Sequence, residues 1–467
     1  MRPYIYVGRF DPRFLGVTIR ATGKSDVHSF QYHDRSRHAP PGILEMLSEN
    51  AVVSDVSRQT VIDHELRHFR DSLLFPFGAV TIRSRIHASY NGFQAAMTLK
   101  QLGVDANVLP VPLQQWLAMS TTERGAFLAA EASFAGGTLR PPPLPVIPAD
   151  DDVSELAVGF MSLDADAETL LLGCRLALAD YRLVESLWRS PHPPDEVLVS
   201  PAVDTWEAAG LMCQFAAIER YAGEPVMHRF INWVEQHGPQ TYQRGLKMLN
   251  WCLEQLGWLP TIRHYLVLIT WAQMGAYETD RVESSPGHRL GMLISAAKRG
   301  KRWSADWAFA DLVAGWDAVV SSDSFAALRS ANASFSNFCR NAAQNGMSAV
   351  LPSDLFSGLA TTRDKMLASF FSDPDSYVDP AAYLGDESRY PLPCVGLEYQ
   401  SGSLGSDWTD VTPDGWSPAV SFDTALHLTG LALLSDAVFL PGEKSLQPNG
   451  RLAIEAVLNL RAIRVIR

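Results

Sequence analysis

The sequence predicts a mainly helical α+β protein, with a small N-terminal β-sheet packed on one central helix and a large helical region after it. Residues 4–32 contain three segments rich in β-branched and aromatic residues, separated by turn residues, which is typical of short strands. Residues 57–75 carry apolar residues at helical spacing and contain no Gly or Pro. Residues 153–345 contain a succession of helical patterns without a fixed repeat.

The chain has 467 residues, which is more than one simple core holds, so two or three domains are expected. A proline-rich stretch at residues 140–152 is interpreted as a linker or a crossing loop. The predicted division is an N-terminal α+β part (1–139), this linker, a helical region (153–350) and a C-terminal mixed region (351–467).

The individual elements follow the same criteria. Strands are predicted at residues 4–10, 15–20 and 27–32. A short helix is predicted at 43–49, and longer helices at 57–75, 80–102 and 113–134. Pro76 ends the central helix, because proline cannot continue it. The helical region is divided into 166–188, 203–221, 226–237, 239–256, 260–276, 288–298, 305–319 and 324–345. After a helix at 357–371, residues 401–416 are predicted to be a surface loop, and helices at 422–434 and 450–460 close the chain.

Composition limits the partners. The apolar fraction is 47%, the charged fraction is 19% and the formal net charge is -12, which is typical of a packed protein with an acidic surface. An acidic surface repels phosphate, so no nucleic-acid partner is expected. The longest apolar stretch, residues 265–274, is too short to span a bilayer, so no membrane partner is expected. The oligomeric state is left open.

The cysteines indicate the compartment. The five cysteines are far apart, odd in number and without a CxxC pair, so we expect buried thiols in a reducing environment. The N-terminal residues lack the apolar core of a signal peptide. A cytoplasmic location is therefore expected.

Two histidines on the central helix form the main chemical motif. His64 and His68 are four residues apart, so they lie on one face of the helix, one turn from each other. Two imidazoles so placed can bind one Zn2+ ion, and Glu65 beside them is a candidate general base. Asp71 follows His68 by three residues, and we expect its carboxylate to hydrogen-bond an imidazole N–H.

A hydrolytic zinc site needs a third protein ligand, and the sequence offers two candidates. His87 lies 19 residues after His68 on the next predicted helix, in polar surroundings for which an exposed helical histidine is the simple alternative. Glu207 lies in residues 206–218, where only it and Gln214 are polar. A helix that is apolar all round is buried, and a buried carboxylate is costly unless it is paired or binds metal.

The choice between these candidates stays open at this point. Glu207 can instead pair with Arg67 or Arg85, or be favoured near the start of its helix by the helix dipole. A site without either His87 or Glu207 is the remaining alternative.

His64-Glu65-Leu66-Arg67-His68 resembles the active-site helix of the zincin metallopeptidases, and Glu207 is similar to the third ligand of the gluzincin branch. The resemblance covers one helix and one distant residue. It implies Zn2+ held by His64, His68 and Glu207, with Glu65 as the general base. The Gly and third His of the metzincin branch are absent, since Phe69-Arg70-Asp71 follows His68, and no Asn-Glu or Glu-Ala-Asp motif follows at short range.

The function expected from this resemblance is hydrolysis of a peptide bond in a protein or peptide substrate by a zinc metallopeptidase. Candidates for the group that stabilises the oxyanion are Tyr90, Arg263 and His264. One alternative is a non-catalytic helical scaffold that binds a partner protein and retains a zincin-like metal site. Another is a metal-dependent hydrolase of amides other than peptides.

Overall fold

The computed structural model describes residues 8–11, 15–21, 53–79, 202–275, 286–344, 351–385, 390–401, 405–412 and 417–439, with a few further positions between 81 and 122 and residue 347. The predicted strand at 27–32, the linker at 140–152, and the predicted helices at 43–49, 113–134, 166–188 and 450–460 lie outside the described residues, apart from residue 122. The division into domains stays a prediction.

Helices dominate the described part of the chain, so the predicted mainly helical class is confirmed. The helices are α1 (Val53–Leu74), α2 (Ala202–Ala222), α3 (Glu224–His237), α4 (Gln240–Leu256), α5 (Ile262–Gln273), α6 (Pro286–Lys298), α7 (Phe309–Val320), α8 (Ser324–Gln344), α9 (Ser353–Ser372), α10 (Asp375–Val378), α11 (Pro380–Gly385) and α12 (Phe422–Phe439). The strands are β1 (Gly8–Asp11), β2 (Gly16–Ala21), β3 (Val395–Ser401) and β4 (Gly405–Asp410).

The four strands form one sheet in the order β1-β2-β3-β4. Strands β1 and β2 pair antiparallel, β2 and β3 pair parallel with Val17 opposite Val395, and β3 and β4 pair antiparallel. The C-terminal part of the chain thus completes the sheet that the N-terminal strands begin. The prediction of a surface loop at 401–416 was wrong, because residues 405–410 form β4. Their polar composition masks a strand that pairing with β3 stabilises.

One face of the sheet packs on α1. The apolar residues of this contact are Val17, Ile19, Val61, Ile62, Leu66, Val395 and Leu397. Gly8 permits the close approach of β1 to the helix, because a Cβ atom there would overlap Val61 Cγ2. Strand β1 therefore lies directly against the turn of α1 that carries Glu65.

Helix α1 also packs against α2, which α4 and α5 contact in turn. The buried middle of α2 was predicted from its apolar composition, and Ala208, Leu211, Met212 and Ala217 are all inaccessible to solvent. Helix α4 crosses α2 closely at Gly245, where a Cβ atom would lie 2.7 Å from the carbonyl oxygen of Asp204. This packing brings α2 and α4, which lie far from α1 in the sequence, to the same side of α1.

The cysteines agree with the expectation of buried thiols. Cys213, Cys252, Cys339 and Cys394 are buried and free, whereas Cys174 lies outside the described residues. None of the helices in the described ranges combines the length and apolar character that crossing a bilayer requires.

Candidate metal centre

The two histidines of α1 converge as their spacing predicts. The Nε2 atoms of His64 and His68 lie 3.0 Å apart, and the rings meet edge to face at 87°. Both side chains are buried. Two ring nitrogens at this distance repel each other unless one carries a proton or both face a common cation. The pair can therefore share a proton or face a common cation.

Glu207 supplies a third donor atom. Its Oε2 lies 3.1 Å from His64 Nε2 and 3.5 Å from His68 Nε2. The packing of α2 on α1 thus brings Glu207 to the histidines, while His87 lies outside the described residues. We call His64, His68 and Glu207 the triad. The Glu207 side chain is 27% exposed, so the triad reaches solvent on that side.

The triad fits a zinc ion. Ligand atoms bound tetrahedrally to Zn2+ at ordinary bond lengths are separated by about 3.3 Å. The three observed separations of 3.0, 3.1 and 3.5 Å bracket this value. Two imidazole nitrogens and one carboxylate oxygen are also the donors that zinc has in many hydrolytic sites. Within the described ranges, this is the group of His, Cys, Asp or Glu side chains whose donor atoms converge in this way.

Neighbouring side chains hold the two imidazoles in place. The ring of His68 stacks on Trp206, with ring centroids 5.2 Å apart and an interplanar angle of 10°. Gly210 of α2 lies under His64, where a Cβ atom would be 2.7 Å from Nε2. Gln214 Nε2 donates a hydrogen bond to Thr60 Oγ1 at 3.2 Å and contributes to the raised pKa of His64. Sequence reasoning noted Gln214 but missed Trp206 and Gly210, which look like ordinary residues of a buried helix.

Glu65 lies beside the triad and contacts the sheet. Its side chain is buried, and its Oε2 accepts a hydrogen bond from the backbone N–H of Phe10 at 2.5 Å. Burial raises the pKa of the Glu65 carboxyl, although the positive character of His64 and His68 opposes this. A carboxyl with a raised pKa and one fixed oxygen is suited to accept and release a proton.

The triad itself is strongly polarised. Burial opposes the ionisation of Glu207, but hydrogen bonds with His64 and His68 outweigh it and hold the Glu207 pKa well below its usual range. Burial likewise opposes the charging of His64, but its hydrogen bond to Glu207 and the charge of Glu65 raise the pKa of His64. Glu65 and Glu207 thus both favour positive charge on His64.

Tyr242 of α4 borders the triad. Its Oη lies 3.4 Å from His64 Nε2, and the two rings are 5.3 Å apart between centroids. The candidates Arg263 and His264 are bonded elsewhere: Arg263 donates to the carbonyl oxygen of Ala305, and His264 Nδ1 lies 2.6 Å from the carbonyl oxygen of Leu259. Tyr90 makes no hydrogen bond with the residues that the structure describes.

The expectation that Asp71 orients an imidazole was wrong. Asp71 Oδ1 accepts a hydrogen bond from the Tyr377 hydroxyl at 2.6 Å and pairs with Arg67 Nε at 2.9 Å. Within the described part of the chain, the Nδ1 atoms of His64 and His68 have no hydrogen-bond partner. An ion pair between Glu207 and Arg67 was one alternative to metal binding, but Arg67 pairs with Asp71 instead.

Comparisons of the chain with protein-family models, with curated proteins and with solved structures found no match. The function is therefore inferred from the side chains of the site.

Proposed function

We propose that the protein is a zinc-dependent metallopeptidase, which hydrolyses a peptide bond of a protein or peptide substrate. The observation that carries this proposal is the convergence of His64 Nε2, His68 Nε2 and Glu207 Oε2 within 3.5 Å of one another, beside the buried carboxyl of Glu65. His64, His68 and Glu207 would hold the metal, and Glu65 would act as the general base.

When bound, zinc supplies an activated water and polarises the scissile carbonyl. The two histidines contribute neutral donors, and Glu207 offsets part of the positive charge. Glu65 takes the proton of the attacking water and transfers it to the leaving amine. The backbone N–H of Phe10 fixes the carboxylate of Glu65, so β1 helps to orient the base.

The number of protein ligands favours catalysis over the scaffold alternative. Structural zinc sites are usually closed by four protein ligands, whereas catalytic sites have three and an open position. The triad provides three donors in the described part of the chain, and its Glu207 side is open to solvent. A hydrolase of other amides would use the same residues, so the peptide substrate is supported by the zincin resemblance.

Metal analysis and two variants test the proposal. We expect about one equivalent of zinc in the purified protein and its loss in His64→Ala. We expect Glu65→Gln to retain zinc but lose cleavage of a library of internally quenched fluorescent peptides. His228→Ala is the matched control, because His228 is an exposed helical histidine paired with Glu224. Wild-type protein with less than about 0.1 equivalent of zinc, unchanged in His64→Ala, contradicts the proposal.

We also propose a cytoplasmic location. The buried free thiols of the four described cysteines support it, since such thiols persist in reducing compartments. Fractionation of the source cells tests this, and recovery of the protein outside the cytoplasmic fraction contradicts it.

A further inference from the structure

Tyr242 is the partly exposed aromatic residue at the mouth of the triad. His64, His68 and Glu65 are buried, whereas Tyr242 and Glu207 retain some exposure. Among the described residues of the site, these two side chains connect the buried histidines to solvent. The position of the Tyr242 hydroxyl determines what a substrate meets.

The hydroxyl lies beside one ligand of the proposed metal site. Tyr242 Oη lies 3.4 Å from His64 Nε2, so it borders the coordination sphere of a zinc ion that His64 would bind. The open position is where the water and the carbonyl oxygen of the substrate bind. A group at this distance can reach that oxygen with a hydrogen bond.

We propose that Tyr242 is a catalytic residue, whose hydroxyl donates a hydrogen bond to the carbonyl oxygen of the scissile peptide bond as negative charge develops there. The inference rests on the proposed peptidase function and adds to it the oxyanion donor. A phenol is a donor at neutral pH, because its ordinary pKa is about 10.

The hydrolysis needs no proton from Tyr242. The oxygen of water bonds to the carbonyl carbon, the π electrons move to the carbonyl oxygen, and the water proton passes to Glu65. The C–N bond then breaks with its electron pair on nitrogen, which takes the proton from Glu65, and the carbonyl double bond re-forms. Tyr242 keeps its proton throughout, and its hydrogen bond is strongest while the oxygen is negative.

Two arginines of the described part of the chain, Arg244 of α4 and Arg67 of α1, are already engaged. Arg244 pairs with Asp204 through two bonds of 2.8 Å, and Arg67 pairs with Asp71 and donates to the carbonyl oxygen of Tyr377. Tyr242 is thus the described donor side chain that borders both the triad and its solvent-exposed side. The packing of α4 on α2 at Gly245 holds it there.

The test compares Tyr242→Phe with Tyr265→Phe as the matched control. The Tyr265 hydroxyl bonds Asn250, two helical turns along α4 from Tyr242. With the best-cleaved quenched fluorescent peptide, we expect Tyr242→Phe to lower kcat by about 100- to 1000-fold, with KM changed by less than about threefold. Zinc content should stay at about one equivalent, and Tyr265→Phe should behave as the wild type.

Two results overturn the inference. One is a kcat of Tyr242→Phe within about threefold of the wild type, and the other is loss of zinc from this variant, which would make Tyr242 a metal ligand. A phosphinic analogue of the peptide gives a second readout, because its tetrahedral oxyanion imitates the transition state. Its inhibition constant should rise by the same factor as kcat/KM falls, and an unchanged constant contradicts the proposed role.

The design separates this inference from the proposed function. A wild-type protein with zinc, an inactive Glu65→Gln and a fully active Tyr242→Phe would overturn the inference alone. A wild-type protein without zinc or peptidase activity would overturn both. If Tyr242→Phe does not fold, Tyr242→His and Tyr242→Leu are compared: the histidine donor should retain at least about tenfold more kcat, and equal values count against the inference.

Discussion

Arg67 and Asp71 form an ion pair on α1 in which both side chains are 0% exposed, with Nε and Oδ1 2.9 Å apart. Arg67 also donates to Thr270 Oγ1 of α5 at 2.9 Å and to the carbonyl oxygen of Tyr377 at 3.1 Å. The guanidinium of Arg67 lies over the ring of Tyr377, with its Cζ atom 4.2 Å from the ring centroid. The helix that carries the histidines is therefore anchored to the C-terminal half of the described structure.

Removal of the Asp71 charge should strongly destabilise the protein. In Asp71→Asn the buried guanidinium of Arg67 loses its counter-charge, and breaking a buried pair costs about 3–5 kcal/mol. Urea unfolding at pH 7 measures the change. Glu224→Gln is the control, because the Glu224–His228 pair is exposed and such pairs contribute little. Equal midpoints for the two variants would show that the buried pair does not stabilise the fold.

The contribution of Glu207 to stability should depend on pH in the metal-free protein. The folded pKa of Glu207 is depressed from 4.5, so its stabilisation is present above this value and is lost as the pH falls through the folded pKa. The folded pKa of His64 is raised from 6.5, so its stabilisation is present below 6.5 and is lost as the pH rises through the folded pKa. The pair is fully charged between these limits.

Comparison with Glu207→Gln measures this effect. The difference in unfolding free energy between wild type and variant should be greatest between pH 4.5 and 6.5 and should shrink on both sides. Chelator-treated protein and denaturant titrations at several pH values provide the data. A difference that does not vary with pH would refute the coupling of Glu207 to His64.

Gly210→Ala should weaken zinc binding although it favours the helix. Alanine is a better helix former than glycine by about 1 kcal/mol, yet its Cβ atom would lie 2.7 Å from His64 Nε2 and displace the ring. Loss of a group that orients a ligand typically lowers metal affinity by about 10- to 100-fold. Competition with a chromogenic chelator measures the affinity for zinc. Gly315→Ala, on α7 beside Trp303, is the control and should bind zinc as the wild type does.

Sequence periodicity predicted the elements that depend on local spacing. The central helix was expected at 57–75 and extends over Val53–Leu74, and the helix expected at 239–256 is α4. Strand β2 was expected at 15–20 and covers Gly16–Ala21. The failure at 401–416 has a different cause, because β4 is polar and depends on hydrogen bonds to β3 rather than on its own composition.

The candidate site was predicted in part for the same reason. An i, i+4 pair on a helix must share a face, so His64 and His68 could be paired from the sequence alone. Glu207 could be singled out because a carboxylate in an apolar helix requires a partner. Asp71 was misassigned, since its distance from His68 along the helix gave no information about Tyr377, which lies 306 residues away. Tyr242 carries no local signal.

The sequence by itself determined the helical class, the histidine pair and the unusual position of Glu207 in a buried helix, because these depend on composition and on the period of the α-helix. Tertiary structure alone decided that α2 packs on α1 with Glu207 facing the histidines, that Arg67 takes Asp71, and that Tyr242 borders the triad. These relationships depend on which apolar faces are buried together over long sequence separations. No local pattern encodes that choice.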